Sequence, residues 1–96
     1  MGFRAITAAQ LWKMVNEPDV YVIDLRDRND YRRSHLRGAR NYPYDEMGRW
    51  ERGLPRNKKI ILCCEYGNTS MYAAKRLAAK GYQVYTLIGG LNALND

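Results

Sequence analysis

The chain has 96 residues, 46% of them hydrophobic, and a net charge of +6 from 16 Lys and Arg against 10 Asp and Glu. That length suits one small domain over residues 1–96 with one compact core, and leaves little room for a separate substrate domain. The basic balance favours anionic partners, but the arginines between Arg26 and Arg40 are interleaved with Asp27 and Asp30, a charge-mixed solvated surface rather than the basic stripe of a nucleic-acid binder.

The first residues, MGFRAITAAQ, lack the apolar run of a signal peptide, and no apolar stretch approaches the roughly 20 residues of a membrane span. A cytoplasmic protein without a membrane partner is therefore expected, and the glycosylation triplet Asn68-Thr69-Ser70 is read as chance. Thr7 followed by Gln10 forms a capping-box pattern, and Leu11, Met14 and Val15 supply one apolar face, which predicts a helix over 8–16. Pro18 ends it. The β-branched run from Val20 to Ile23 predicts a buried strand. Asp27 caps a short helix expected over 27–34, and Gly38, Pro43 and Gly48 punctuate the middle around a helical turn at 45–50.

The apolar run from Lys59 to Cys63 predicts a central strand. A helix is expected over 70–80, with Met71, Ala74, Leu77 and Ala78 on its buried face and Gly81 as its C-terminal cap. A third strand is expected over 83–88. Strand, helix and strand at this spacing make a βαβ unit, with parallel pairing and a right-handed crossover. The fold class is α/β: an open parallel sheet. Ligands of such sheets bind at the carboxyl ends of strands, and Cys64 lies at such an end, immediately before a helix.

The segment Cys64-Glu65-Tyr66-Gly67-Asn68-Thr69-Ser70 concentrates the chemistry. Gly67 and Asn68 tolerate unusual backbone angles, so the loop can turn successive N–H groups inward as an anion-binding nest, and the following helix adds its free N–H groups and positive dipole end. A cysteine there is favoured as thiolate, the reactive form, and supports covalent catalysis without a histidine base. Cys63 is read as a core residue, because strand alternation points it to the opposite face. Adjacent cysteines close only a strained ring, so they are no disulfide framework, and a reducing compartment is the natural setting.

These motifs together resemble the rhodanese-like family, in particular its single-domain thiosulfate sulfurtransferases, over nearly the whole chain. Val22-Ile23-Asp24-Leu25-Arg26 is similar to the family's strand ending in Asp-x-Arg. Ser34-His35-Leu36-Arg37-Gly38-Ala39, followed by Asn41 and Pro43, is similar to Gly-His-Ile-x-Gly-Ala with its trailing Asn and Pro. Cys64 to Ser70 resembles the active-site loop, and Gly81-Tyr82 through Val84 to Gly89-Gly90 the closing strand and its turn. The resemblance implies a parallel sheet with helices on both faces. It implies sulfur transfer: Cys64 attacks a small anionic sulfane donor such as thiosulfate, becomes a persulfide, and yields the sulfur to cyanide, a thiol or a protein acceptor. Backbone amides of Glu65, Tyr66, Gly67, Asn68, Thr69 and Ser70 would hold the persulfide and the departing anion. No metal or organic cofactor is implied.

Two rival functions stand beside this one. A persulfide carrier or protein-interaction module would share the cysteine but turn over thiosulfate poorly. A phosphatase of the related Cys-x5-Arg type needs an arginine where Ser70 stands, and without it the bidentate phosphate clamp is missing. Two departures from the family pattern are Glu65, a carboxylate that would oppose thiolate formation and repel thiosulfate unless it points outward, and Leu94 in place of a Trp. His35, the one histidine, is read as a structural hydrogen-bonding group. Asp24 and Arg26 are read as a structural ion pair beside the site. Tyr66 is read as either a pocket wall or an exposed loop aromatic. Arg28, Arg32, Arg33, Lys75 and Arg76 are read as solvent-facing charge, and the eight scattered tyrosines as no stacking platform.

Overall fold

The computed structural model describes residues 2–95. Its centre is β4 (Lys59–Cys63), in which Ile60, Ile61 and Leu62 are fully buried. A strand apolar on both sides needs cover on both sides, which is the environment of a parallel sheet. β4 pairs in parallel with β2 (Val20–Asp24) on one side and β5 (Gln83–Leu87) on the other. β1 (Arg4–Ile6) and β3 (Arg40–Asn41) close the edges, giving the order β1-β5-β4-β2-β3, parallel throughout.

Side-chain alternation along β4 divides the core in two. Ile60, Leu62 and Cys64 pack with Ala73, Ala74 and Leu77 of α4 (Asn68–Ala79) and with Met47 of α3 (Met47–Trp50). Ile61 and Cys63 pack on the other face with Leu11 of α1 (Ala8–Met14), and Tyr31 of α2 (Arg28–Arg33) lies against that cluster. The sheet is thus flanked by helices on both faces, as expected.

The helix ends follow the local chemistry. Thr7 and Gln10 form the reciprocal capping box of α1, and the Asp27 carboxylate accepts from the Asp30 N–H at the start of α2. At the end of α4, the Gly81 N–H donates to Ala78 O (3.0 Å) and the Tyr82 N–H to Leu77 O (3.2 Å). That is a Schellman closure, with Gly81 at φ +91°.

Three features differ from the sequence expectation. β1 and β3 are too short to show a hydrophobic period, so neither was predicted. The buried face of α4 is Ser70, Ala73, Ala74, Leu77 and Ala78, whereas Met71 is 45% exposed. Small residues at positions 70, 73 and 74 let the helix approach the sheet, and Met71 stands one position out of phase. Arg76 is only half solvent-facing: it donates to Glu51 Oε1 at 2.7 Å, joined by Lys80 at 3.1 Å. Glu51 is buried in a short 3-10 turn after α3, and its carbonyl accepts from the Tyr82 hydroxyl. Among the described residues no helix is long and apolar enough to cross a membrane.

Candidate active site

The helices that follow β2 and β4 leave to opposite faces of the sheet, although the two strands are neighbours. Such a divergence opens a crevice at the strands' carboxyl ends. The end of β2 and the residues just after it, from Asp24 to Arg26, form one lip of it, and the loop that follows β4 the other.

Cys64 is 5% exposed at the floor of the loop that joins β4 to α4. Two backbone N–H groups point at its sulfur, that of Gly67 at 3.2 Å and that of Ser70 at 3.3 Å. The turn that brings them there requires Gly67 at φ +97°, a left-handed conformation open to glycine. The buried Ser70 hydroxyl donates to Gly67 O at 3.1 Å and ties the two ends of this turn together.

A second turn supports the loop from the neighbouring strand. After β5, the Leu91 N–H donates to Cys64 O (2.7 Å) and the Asn92 N–H to Glu65 O (2.9 Å). Gly90 lies against those same carbonyls. The Gly89-Gly90 pair was legible as a turn, but its role as the bed of the cysteine loop was not. The contact joins residues more than twenty positions apart, and no local pattern signals it.

Cys63 faces the opposite core cluster. Burial first, then the nearby Asp24 and Cys64, push its thiol up to about 12, which keeps it protonated and inert.

Asp24 is buried and pairs with Arg26 through Nε (3.1 and 3.2 Å) and Nη2 (2.7 Å). Arg26 Nη2 also donates to Ser34 O at 2.7 Å. Hydrogen bonding to Asp24 outweighs burial and holds the Arg26 guanidinium more firmly charged than usual. Asn41 of β3 donates to Asp24 O and Arg26 O, which fixes this lip. The pair expected from the sequence is thus present, and it reaches the loop: Arg26 Nη1 lies 3.6 Å from Glu65 Oε2. The Glu65 side chain points outward, 49% exposed.

The remaining loop residues divide. Tyr66 is 65% exposed and borders a shallow groove of about 170 Å³ with Phe3, Gly67, Asn68, Met71 and Ile88. Thr69 borders a separate groove of about 240 Å³ with Leu25, Pro43, Tyr44, Asp27 and Asp45. The His35 Nδ1–H donates to Tyr31 O (2.8 Å) and the imidazole stacks on the Tyr31 ring, the structural role expected. Arg28 and Arg33 are paired with Glu46 and Asp30. Among the described residues no cluster of three His, Cys, Asp or Glu side chains is placed to hold a metal ion.

A buried sulfur facing two N–H donors at the head of a helix can be stabilised as an anion and can carry a covalent adduct in the same cradle. The rhodanese-like domain profile matches residues 7–96. The chain is 30% identical over 94 residues to the thiosulfate sulfurtransferase GlpE of Pseudoalteromonas translucida, spanning 97% of this chain and 90% of that protein. It is 26% identical over 91 residues to the GlpE of Coxiella burnetii, spanning 94% and 85%. The crystal structure of a rhodanese-related protein from Thermoplasma volcanium superposes with a TM-score of 0.89 at 26% identity, covering 97% of this chain and 92% of that one.

Proposed function

Because the chain belongs to the rhodanese-like domain family, we propose that it is a sulfurtransferase that carries sulfane sulfur as a persulfide on Cys64. The observation that bears most weight is the pair of N–H groups of Gly67 and Ser70 directed at the Cys64 sulfur. In the first half-reaction the thiolate attacks the outer sulfur of a donor such as thiosulfate. The Sγ–S bond forms, the donor S–S bond breaks, and sulfite leaves with the bonding pair. In the second, a thiophile such as cyanide or a thiol attacks the outer sulfur of the persulfide and the Cys64 thiolate is restored.

The loop supplies the environment for both steps. Its N–H groups stabilise negative charge on Sγ without a proton carrier, and the positive end of α4 acts in the same direction. Tyr66 and Asn68 border one groove beside the loop and Thr69 another, and the Glu65 side chain is exposed.

The test is to incubate the pure protein with thiosulfate and record its intact mass beside Cys64→Ala and Cys63→Ala variants. A gain of one sulfur atom that cyanide removes, and that only Cys64→Ala abolishes, is the expected result. No gain from any sulfane donor would remove this reading. Persulfide formation without cyanide-dependent turnover would favour a carrier that hands its sulfur to a protein partner.

A further inference from the structure

Residues 64–74 contain one charged side chain, Glu65. The cation beside it is fully engaged: Arg26 spends Nε and Nη2 on Asp24 and Ser34 O, and its Nη1 stands 3.6 Å from Glu65 Oε2. The trio of Asp24, Arg26 and Glu65 therefore carries one net negative charge. The groove beside Thr69 is bordered by two exposed carboxylates, Asp27 and Asp45. The neighbouring Arg28 is drawn to Glu46 at 3.1 Å. Along α4 the first cation is Lys75, about 10 Å down the helix axis from its start. The chain as a whole is +6, so the mouth of the cysteine loop runs against the overall charge.

We propose that Glu65, held in place by Arg26 and reinforced by Asp27 and Asp45, is a specificity-determining residue that disfavours dianionic donors and selects an organic persulfide of low charge. This rests on the persulfide reading of Cys64. Thiosulfate must bring two negative charges to this mouth and leave two behind as sulfite. An organic persulfide R–S–SH brings none or one. The Cys64 thiolate attacks its terminal sulfur, the Sγ–S bond forms, and the S–S bond of the donor breaks. The bonding pair leaves on R–S⁻ and the proton stays on the transferred sulfur, so no outside oxidant or reductant is required. The groove bordered by Phe3, Tyr66, Met71 and Ile88 offers apolar surface beside the loop for the organic substituent.

The size of the effect follows from Coulomb's law. One carboxylate about 8 Å from a dianion in a water-like dielectric lowers its encounter roughly fivefold, and that of a monoanion about twofold. The experiment measures the second-order rate of Cys64 persulfide formation, by intact mass, with thiosulfate and with cysteine persulfide. It uses the wild type, Glu65→Gln, Glu65→Asp and Asp45→Asn, with thermal unfolding recorded for each. Glu65→Gln is expected to raise the thiosulfate rate about fivefold at low ionic strength and the cysteine persulfide rate twofold or less. Glu65→Asp should keep the wild-type ratio, Asp45→Asn should shift thiosulfate in the same direction as Glu65→Gln, and the differences should vanish near 1 M salt, where the screening length is about 3 Å. An equal change for both donors, a fall in the thiosulfate rate, or a shift that survives high salt would overturn the inference while leaving sulfur transfer intact. Failure of both donors to load Cys64 in every variant would overturn the sulfur-transfer reading, and this inference with it.

Discussion

Gly90 lies so close under Cys64 that a methyl group on it would stand 2.5 Å from the Cys64 carbonyl oxygen, and equally close to that of Glu65. The turn after β5 and the cysteine loop are therefore packed backbone against backbone, and Gly90 at φ +66° also occupies the left-handed region. Gly90→Ala is expected to cost about 2 kcal/mol or more, from the disfavoured conformation and the displaced loop together. It should also slow alkylation of Cys64, because the displaced loop misaligns the N–H groups of Gly67 and Ser70. Gly48→Ala is the control: open space surrounds that position inside α3, so it should be neutral or stabilising by up to about 1 kcal/mol. Urea unfolding and iodoacetamide kinetics on both variants check the pair; equal behaviour would show that the packing against Gly90 is unimportant.

The two adjacent cysteines should behave as different chemical species. At neutral pH one alkylation is expected, on Cys64, since Cys63 is buried with its thiol pushed up to about 12. Because the folded value lies above the ordinary 9.0, the fold favours the protonated thiol. That contribution is fully present below pH 9.0 and is lost as the pH rises toward about 12. Tyr21, raised from 10.0 to about 12 by burial and by its hydrogen bond to Tyr42, weakens in the same window. Stability measured by denaturant titration should thus fall through this alkaline range. Cys63→Ala should show a shallower fall, with the Tyr21 part remaining.

Much of the site was legible because its signals are local. The alternation of Ile60, Ile61, Leu62, Cys63 and Cys64 assigns the two cysteines to opposite faces, and Gly67 marks the turn that a sulfur cradle needs. The same alternation foretold a central strand, and Gly81 a helix end. What was not legible depends on contacts distant in sequence. Nothing near Glu51 says that a carboxylate will be buried, because its partners Arg76 and Lys80 lie on a helix some 25 positions on. Met71 fits an apolar helical face as well as Ala73 does, and only the closeness of α4 to the sheet decides between them. Whether Glu65 opposed the site could not be read without knowing that Arg26 comes round from β2 to meet it.

The buried Glu51 should set the acid limit of the fold. Hydrogen bonding from Arg76 chiefly, then from Lys80, holds its carboxyl below the usual 4.5 against the opposing effect of burial. A depressed value in the folded state means stability that is present above pH 4.5 and is lost as the pH falls below it. Glu51→Gln is expected to be less stable than the wild type at neutral pH and to lose less on acidification, so the two unfolding curves converge in acid. Parallel curves would mean that the pairing with Arg76 adds nothing in solution.

Ser70 poses the sharpest question about what the loop does chemically, since a buried hydroxyl on a residue whose N–H meets the sulfur invites a catalytic reading. Its Oγ, however, donates to Gly67 O at 3.1 Å, and what it directs at Sγ is its backbone N–H. Ser70→Ala keeps that N–H and removes only the bond to the Gly67 carbonyl. Gly67 is the N-cap of α4, so its carbonyl keeps its intrahelical donor and loses one hydrogen bond only; a drop in stability of about 0.5–1.5 kcal/mol is expected. Persulfide formation on Cys64 should persist, slowed only as far as the turn at Gly67 loosens. Intact mass after exposure to a sulfane donor, read beside a denaturation curve, separates the possibilities. If loading vanished while stability stayed unchanged, the hydroxyl itself would have to act on the sulfur, and the loop could no longer be understood as a cradle of backbone amides alone.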